Sequence, residues 1–384
     1  MDSGEQAALE RKAKTGLDYN IIDADAHMAE PAELWQERIE QRFRDEAPRV
    51  LHEHKGQKGM YLAFEDVVVR FATPGKQGGS TTMTRPGGYD PAERLKDMAI
   101  DGVAAAVLYT THGFYVFGTR KAELQAALFK SYNDWLAEFC GYAPDRFAGL
   151  GLVSLFDIDH GARELERCAK IGLRGAMIWG APPDDKPAYS SPEYDAFWAA
   201  SQALNMPLAL HTNTRPKKRD YYGAEQGQGT NFAPQYTTMV MNQAALQESV
   251  LQMTYGGVFE RFPTLKVICA EGDIGWMPPL MQRADTYYAS STRRGHDLRM
   301  KMKPSEYIRR NVWMSFITDP LGLKTYRHGD MVDRIMWSTD YPHPACFFPN
   351  SLEVFKRDFA GVPEADKRKI VHDNVADLFG FKGL

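Results

Sequence analysis

The sequence predicts an α/β fold in which eight parallel strands alternate with helices and close into a distorted (β/α)8, or TIM, barrel. Three observations support this prediction: short apolar runs recur along the chain, longer segments of helical period separate them, and 384 residues suffice for such a barrel with insertions. The eight predicted strands are Ile21–Ala24, Val103–Leu108, Phe147–Val153, Gly175–Ile178, Leu208–His211, Lys266–Ala270, Val312–Phe316 and Ile335–Ser338.

Helical segments lie between these runs, and their lengths suit the crossover connections that parallel strands require. Their period is that of helices with one apolar face. The predicted helices include Ala122–Tyr142, Gly161–Ile171, Pro192–Leu204, Asn242–Phe262 and Pro278–Ala289.

Two irregular segments interrupt the alternation. Residues 29–88 follow the first strand and include a Gly-rich stretch, which predicts an insertion with a small hairpin. Residues 212–238 follow the fifth strand, and a loop of this length inside a compact domain usually serves a site, so we expect a substrate lid. Residues 1–18 are interpreted as a polar N-terminal extension, and residues 19–384 as one barrel domain.

Composition narrows the possible functions. The chain has 43% hydrophobic and 25% charged residues and a net charge of -4, without a long Lys or Arg run, so nothing favours nucleic acid or an anionic membrane. A small-molecule substrate fits better. The charged N-terminus and the absence of long apolar runs predict a cytoplasmic protein. We expect reduced, mostly structural thiols at Cys140, Cys168, Cys269 and Cys346.

The first strand ends in three residues that can bind a metal. Because strand side chains alternate, Asp23, Asp25 and His27 face the same way. Burying these groups at the mouth of a barrel is costly unless a cation compensates their charge. Taken alone, the strand also allows another interpretation, in which an Asp caps a turn and His27 is a surface residue.

Other strand ends favour the metal hypothesis. The fifth strand ends with His211, followed by Asn213, and the eighth is followed by Asp340 and His343. Catalytic groups of barrels come from such strand ends. A mixed imidazole and carboxylate site suits Zn, Mn or Fe.

The sixth strand is followed by Glu271, whose carboxylate could face the metal as a ligand or as an acid/base group. Asp273, two residues later, is interpreted as the N-cap of the helix that begins near Trp276. Aromatic and polar residues near the predicted mouth would suit a flat apolar substrate, or else pack the barrel. The candidates for substrate binding are Tyr109, His112, Trp179, Asn213 and Trp276.

Four strand-end motifs, DADAHMAEP, LALHTNT, CAEGDIGW and STDYPH, occur in the order and spacing of the amidohydrolase-related family. The chain from Tyr19 to Phe381 resembles this family of metal-dependent TIM-barrel enzymes. Its members include decarboxylases similar to aminocarboxymuconate semialdehyde decarboxylase and γ-resorcylate decarboxylase. The resemblance implies that Asp25 takes the place of the first metal ligand, and that His27, His211 and Asp340 match the next three.

One position departs from the family. Many members have a His where Glu271 stands, and that His assists the chemistry. A Glu can act as a base, but it can also bind or bridge metals, so a second ion with His343 or Asp23 as extra ligands is an alternative. Dinuclear iron or manganese relatives that activate oxygen are similar in this respect. Similar enzymes often form dimers, so we also expect a homodimer or higher oligomer.

The sequence leaves the reaction open. In hydrolysis of an amide, ester or lactone, a divalent ion would activate water and polarise the carbonyl, while Glu271 or Asp340 takes the proton. In non-oxidative decarboxylation, the ion would hold the substrate carboxylate, and an acid would protonate the carbon that loses carbon dioxide. The catalytic candidates are Glu271, Asp340 and His211. An inactive barrel that serves as a subunit or scaffold is the non-enzymatic alternative.

Overall fold

Eleven strands are present in the residues that the computed structural model describes, which are 12–31, 33–65, 67–70, 81–212, 214, 233–295 and 300–384. Eight of them match the eight predicted strands, with ends that differ by no more than three residues. In chain order, the strands are β1 (Ile21–His27), β2 (Arg49–His54), β3 (Gln57–Phe64), β4 (Val67–Arg70), β5 (Val103–Tyr109), β6 (Phe147–Leu152), β7 (Gly175–Ile178), β8 (Leu208–His211), β9 (Val267–Ala270), β10 (Val312–Phe316) and β11 (Ile335–Trp337).

The eight strands that match the predicted ones form one parallel sheet in the order β1-β5-β6-β7-β8-β9-β10-β11. Beyond β11, the Asp340 amide donates to the Asp25 carbonyl at 3.0 Å, and the His27 amide donates to the Tyr341 carbonyl at 2.7 Å. These two bonds close the sheet between its last and first strands. The predicted (β/α)8 barrel is therefore confirmed.

Helices surround the barrel and pack their apolar faces against it. They are α1 (Leu34–Arg38), α2 (Pro91–Asp101), α3 (Gly113–Val116), α4 (Ala122–Gly141), α5 (Ile158–Lys170), α6 (Asp195–Leu204), α7 (Ala233–Tyr255), α8 (Val258–Arg261), α9 (Met277–Arg293), α10 (Pro304–Asn311), α11 (Gly322–Thr325), α12 (Ser351–Asp358), α13 (Glu364–Arg368) and α14 (Asn374–Phe379). Short 3₁₀ helices cover Gln41–Glu46, Thr81–Thr84, Pro86–Gly88, Pro192–Tyr194, Tyr326–Gly329 and Val332–Arg334, and a π-helical turn covers Lys369–Asp373.

Two sequence predictions on the helices need correction. The predicted helix Asn242–Phe262 begins earlier, at Ala233, and breaks at Gly257, whose positive φ of 70° separates α7 from α8. The last six residues of the predicted lid, 233–238, are therefore helical. Residues 213 and 215–232 of that lid lie outside the described residues.

The helix α2 follows ordinary start and stop rules. The Asp90 carboxylate accepts from the amides of Ala92 at 2.8 Å and Glu93 at 3.0 Å, Pro91 occupies the first turn, and Gly102 ends the helix with a φ of 79°. These signals set the two ends of α2, which packs against β5. One consequence is the placement of Arg94 beneath the mouth of the barrel, described below.

The segment after β1 carries a second, smaller sheet. Its three strands pair antiparallel in the order β2-β3-β4, one strand more than a hairpin. The two ends of the segment meet, because the Ala29 amide donates to the Gly88 carbonyl at 2.8 Å. A Cβ on Gly88 would lie 2.6 Å from the Ala29 Cβ, so only glycine allows this approach.

Three further observations bear on the sequence predictions. Of the N-terminal extension, residues 12–18 are described, and Leu17 packs into the hydrophobic core. The four cysteines are free, and Cys140, Cys168 and Cys269 are buried, as expected of structural thiols. Within the described ranges, no helix combines the length and the apolar character needed to cross a membrane.

Candidate metal centre

The end of β1 contributes two side chains to a buried cluster at the mouth of the barrel. Asp25 and His27 are at most 1% exposed, and the Asp25 Oδ1 atom lies 3.3 Å from the His27 Nε2 atom. Asp23 faces the same side but lies deeper. Its carboxylate accepts from the amides of Asp25 at 3.1 Å and Thr339 at 3.0 Å, and from the Thr339 hydroxyl. Asp23 belongs to neither set of ligand atoms that lie close enough to share an ion, and its role as an extra ligand stays a prediction.

Two other strand ends complete the cluster. His211, the last residue of β8, places its Nε2 atom 3.9 Å from the Asp25 Oδ1 atom. Asp340, three residues after β11, places its Oδ1 atom 3.3 Å from the His27 Nε2 atom. Asp340 adopts a φ of 59°, a left-handed backbone conformation that is costly outside glycine and recurs at functional sites. Side chains separated by more than three hundred positions thus converge.

Three of these side chains could hold one divalent ion, because ligand atoms of Asp25, His27 and His211 all lie close together. With bonds of about 2.1 Å, two ligand atoms on the same ion lie no more than about 4.2 Å apart. The Asp340 Oδ1 atom meets this limit with the His27 Nε2 atom. Among the described residues, Asp25 Oδ1, His27 Nε2 and both oxygens of Asp340 are buried without a hydrogen-bond partner. Buried groups of this kind are costly unless something binds them. The donor set and its orphaned atoms fit a metal ion.

Neighbouring groups orient the cluster side chains. The His27 Nδ1 atom donates to the Thr110 carbonyl at 2.7 Å, so its Nε2 atom carries the lone pair that faces the cluster. The Asp25 Oδ2 atom accepts from the Ser315 hydroxyl at 2.9 Å, which leaves Oδ1 for the cluster. His27 and Asp25 therefore each present one defined ligand atom.

His343 lies against the cluster. Its ring stacks on His27 with centroids 3.9 Å apart, its Nδ1 atom is 2.9 Å from the Asp340 Oδ1 atom, and its Nε2 atom is 2.8 Å from the Thr111 hydroxyl. His27, Asp340 and His343 form a second set of ligand atoms close enough for a metal. The two sets share the free nitrogen of His27, so Asp340 and His343 lie beside the set formed by Asp25, His27 and His211.

Glu271 lies at the rim of the cluster. It follows β9 with a φ of 51°, and its amide donates to the Ser315 hydroxyl at 2.9 Å. Its Oε2 atom accepts from the Thr212 hydroxyl at 3.1 Å and lies 3.7 Å from the His211 Nε2 atom. The side chain is 25% exposed. Burial, with the nearby carboxylates of Asp340 and Asp25, raises the pKa of Glu271 to about 8.

The two imidazoles of the cluster are in the protonation state that metal ligands need. Burial lowers the pKa of His27 well below its usual value and lowers that of His211 to about 3, so both imidazoles are neutral at pH 7. Burial raises the pKa of Asp25 and that of Asp340, and the neighbouring carboxylates of Asp25 and Asp23 raise that of Asp340 further. A cation would favour the ionised form of both carboxylates.

The predicted substrate-binding residues have different surroundings. The Tyr109 ring lies 5.6 Å from the His211 ring, and its hydroxyl is buried without a hydrogen-bond partner among the described residues. Trp179 is buried in the core, edge-on to Phe156 at 5.0 Å, which makes it a packing residue of the barrel.

The remaining candidates support the loops around the mouth. The Trp276 indole donates to the Gly272 carbonyl at 2.5 Å. The His112 Nδ1 atom lies 3.3 Å from a carboxylate oxygen of Glu30, so this ring faces an internal partner. Asn213 lies outside the described residues.

The capping prediction for Asp273 was wrong. Its carboxylate accepts from the Gln243 amide group at 2.6 Å. The free amides of this turn, those of Ile274 and Gly275, donate instead to Asp319 at 2.9 and 2.7 Å. The carboxylate that caps this turn thus follows a different strand, and the sequence around the turn does not indicate it.

Two further residues contact the cluster or its backbone, and sequence reasoning missed one of them, Arg94. The Phe114 ring lies 4.7 Å from the His211 ring and 5.6 Å from the His27 ring, and forms an apolar wall. Arg94 is buried, donates to the His27 carbonyl and, at 3.4 Å, to the Tyr341 carbonyl, and burial lowers its pKa. The guanidinium thereby joins the ends of the first and last barrel strands.

Comparison with known proteins agrees with this geometry. The sequence model of a protein family described as amidohydrolase matches residues 22–381. The chain belongs to the amidohydrolase family. This amidohydrolase is 31% identical over 264 residues to a γ-resorcylate decarboxylase from Polaromonas sp., an alignment that covers 64% of this chain and 74% of the relative.

Solved structures share the fold. An amidohydrolase from Mycobacterium avium subsp. paratuberculosis superposes with a TM-score of 0.77 at 22% identity, covering 95% of this chain and 100% of the other. A dihydroxybenzoic acid decarboxylase from Polaromonas sp., with bound manganese and the inhibitor 2-nitroresorcinol, superposes with a TM-score of 0.64 at 22% identity, covering 95% and 98%. The family resemblance inferred from the four motifs is thus confirmed.

Proposed function

We propose that this amidohydrolase removes carbon dioxide, without oxidation, from a small aromatic carboxylate at a single divalent metal ion. The proposed ligands are Asp25, His27, His211 and Asp340. The observation that carries the proposal is their convergence at the mouth of the barrel. The His27 Nε2 atom lies 3.3 Å from both Asp25 Oδ1 and Asp340 Oδ1, and the His211 Nε2 atom lies 3.9 Å from Asp25 Oδ1. The similarity to γ-resorcylate decarboxylase supports the reaction and the substrate class.

The residues around the cluster have chemistry that suits this reaction. A bound cation would supply positive charge to hold the substrate carboxylate and an adjacent oxygen. The apolar ring of Phe114 beside the cluster histidines suits a flat aromatic substrate. When the bond to the carboxyl group breaks, its electron pair stays on the ring carbon, which then needs a proton. Glu271, whose pKa is raised to about 8 in the metal-free protein, is the proposed donor.

Metal analysis tests the centre itself. Protein expressed with manganese, zinc or iron and then desalted should retain about one equivalent, because one set of orphaned ligand atoms is present. A content near zero for all three metals would reject the proposal. A content near two would favour the dinuclear oxygenase, in which His343 and Glu271 bind a second ion.

The reaction is tested with a panel of substrates. Hydroxybenzoates with a hydroxyl next to the carboxyl group, including 2,6-dihydroxybenzoate, should release carbon dioxide, measured as dissolved CO₂. Matched aromatic amides and lactones serve as hydrolysis substrates, and an oxygen electrode detects oxygenation. Hydrolysis or oxygen uptake without carbon dioxide release would contradict decarboxylation, and no turnover on any substrate would favour the scaffold alternative.

Hydrolysis of an amide or lactone is a second candidate, and one observation favours it. Glu271 stands beside the cluster with 25% of its side chain exposed, so water can reach its carboxylate. A cation nearby would lower the pKa of Glu271 and convert it into a base. The same panel distinguishes the two reactions, since only hydrolysis releases an acid together with an amine or alcohol.

Three broader features remain proposals. The chain is expected to form a homodimer or higher oligomer, which light scattering would measure. Residues 19–384 are expected to act as one domain with an N-terminal extension, and limited proteolysis would test this boundary. A cytoplasmic location is the third, and cell fractionation would test it.

A further inference from the structure

A buried carboxylate stands three residues beyond His27, outside the metal cluster. Glu30 is only 2% exposed. One of its oxygens accepts from the Thr110 hydroxyl and, at 3.0 Å, from the Thr111 amide, and the other accepts from the His112 amide at 2.9 Å. All these donors belong to the loop between β5 and α3. Glu30 therefore holds one loop through three consecutive residues.

That loop contacts two imidazoles of the cluster. The Thr110 carbonyl accepts from the Nδ1 atom of His27 at 2.7 Å, and the Thr111 hydroxyl is 2.8 Å from the Nε2 atom of His343. The loop has little room to shift, because the Gly113 amide donates to the Thr110 hydroxyl at 2.9 Å and a Cβ on Gly113 would lie 2.2 Å from that oxygen. The loop thus transmits the position of Glu30 to both rings.

We infer that Glu30 is a positioning residue for the metal centre, which acts through Thr110 on His27 and through Thr111 on His343. Groups that bond the far nitrogen of a metal-binding imidazole fix its tautomer and orientation, and their loss typically weakens metal binding about 10- to 100-fold. Glu30 bonds neither ring directly, but its bonds to the loop affect the orientation of both the His27 and the His343 ring. The inference rests on the metal centre of the proposed function and is independent of the reaction.

The test compares two buried carboxylates. Glu30→Gln keeps the size of the side chain but places an NH₂ group where the loop offers only donors. Glu164→Gln is the matched control, because Glu164 is also buried but bonds Asn133 and Arg167 in the helical layer. Manganese affinity is measured by chelator competition, the visible spectrum of the cobalt-loaded protein reports ligand geometry, and thermal unfolding reports stability.

Glu30→Gln should weaken manganese binding about 10- to 100-fold and change the cobalt spectrum. Glu164→Gln should lower the melting temperature and leave both metal readouts as in the wild type. Thr111→Val removes only the hydroxyl beside His343, so it should change the cobalt spectrum less than Glu30→Gln does, and Thr111→Ser should restore the wild-type spectrum. The Thr111 pair keeps the inference testable should Glu30→Gln not fold.

Two results would overturn the inference alone. One is a folded Glu30→Gln protein, or a Thr111→Val protein, with wild-type affinity and spectrum while the wild type binds metal. The other is an equal loss of affinity in Glu30→Gln and Glu164→Gln, which would show a general effect of stability. A wild type that binds no metal would instead overturn the proposed function, and this inference with it.

Discussion

Two groups of buried polar side chains in this barrel differ in how their hydrogen bonds are satisfied. Between α4 and α5, Asn133 bonds both backbone groups of Leu152, at 2.6 and 3.0 Å, and donates to Glu164 at 2.7 Å, while Arg167 donates to both oxygens of Glu164. At the mouth, both oxygens of Asp340 have no such partner among the described residues. The group formed by Asn133, Glu164 and Arg167 is satisfied by bonds within the protein, whereas the Asp340 oxygens are left for a ligand.

The difference separates structural from functional polar groups. A buried group left without a partner costs about 1–3 kcal/mol, and more when it is charged. Proteins retain few such groups, and they recur where function requires them. The residue types do not distinguish the two regions, because both combine carboxylates with nitrogen-containing side chains. The regions differ in whether their polar atoms have hydrogen-bond partners within the protein.

The largest expected effect comes from Asp340→Asn. The change removes a ligand charge at the mouth, so the protein should bind little metal and lose roughly 10³-fold or more in turnover, because a metal ion contributes several kcal/mol to such reactions. Metal content and carbon dioxide release measure both. Asp134→Asn, which affects a carboxylate bonded to Lys130 and Arg167, is the control. Full metal content in Asp340→Asn would mean that the orphaned oxygens bind no ion.

Ser315→Ala should have a smaller effect on the mouth. Its hydroxyl donates to Asp25 at 2.9 Å and accepts from the Glu271 amide at 2.9 Å, so its loss frees both groups. We expect metal affinity to fall about 10- to 100-fold, as for other partners of metal ligands. Isothermal titration with manganese measures the change. Ser338→Ala, whose hydroxyl donates to the Phe316 carbonyl, is the matched control, and equal affinities of the two variants would contradict the role of Ser315.

Asn133→Ala should lower the stability of the protein and leave its metal binding unchanged. It leaves the Leu152 backbone groups and the Glu164 carboxylate short of partners, so the free energy of unfolding should fall by about 1–3 kcal/mol. Chemical denaturation measures this change. Metal affinity should equal that of the wild type, because the side chain of Asn133 bonds Leu152 and Glu164 and not the cluster. A loss of metal binding without a loss of stability would show that the two regions are not separate.

The smallest expected effect is a pH dependence of the metal-free protein. Burial raises the pKa of Asp23 to about 7 and that of Glu271 to about 8, so the folded state binds more protons than the unfolded state in this range. Stability is therefore lost as pH rises through these values, by about 1 kcal/mol per pH unit between about pH 7 and 8.5. Thermal melts after chelation measure this slope.

Metal should abolish that slope, because a cation favours the ionised carboxylates in the folded state. The control is Glu271→Gln, whose metal-free melts should depend less on pH than those of the wild type. If the melting temperature of the metal-free protein rises between pH 7 and 8.5, the raised pKa values of Asp23 and Glu271 are contradicted.

Most of the fold was predictable because of how parallel barrel strands are buried. Strands covered on both sides appear as short apolar runs, and all eight were found, including the four-residue run of β8. The convergence of Asp25, His27, His211 and Asp340 was also predictable, since each lies at or just beyond a strand end and all such ends meet at one mouth. Their role as ligands remains a proposal.

The partners of the cluster were not predictable in the same way. Ser315 lies within the apolar run of β10, and only the inward alternation of that strand could have indicated it. Glu30 and Arg94 belong to a loop and a helix where charged residues are usually solvated, so their burial depends on tertiary packing. Asp319 caps a turn more than forty residues away in sequence, beyond any local rule.

The bond between Ala29 and Gly88 has a consequence for how this protein can change. A segment whose two ends are neighbours can gain or lose residues at little entropic cost to loop closure, which grows only slowly with length. The barrel downstream keeps its register whatever the size of that appendage. Variation in this part of the chain can therefore reshape the surroundings of the mouth while the strands that carry the acids and imidazoles stay in place.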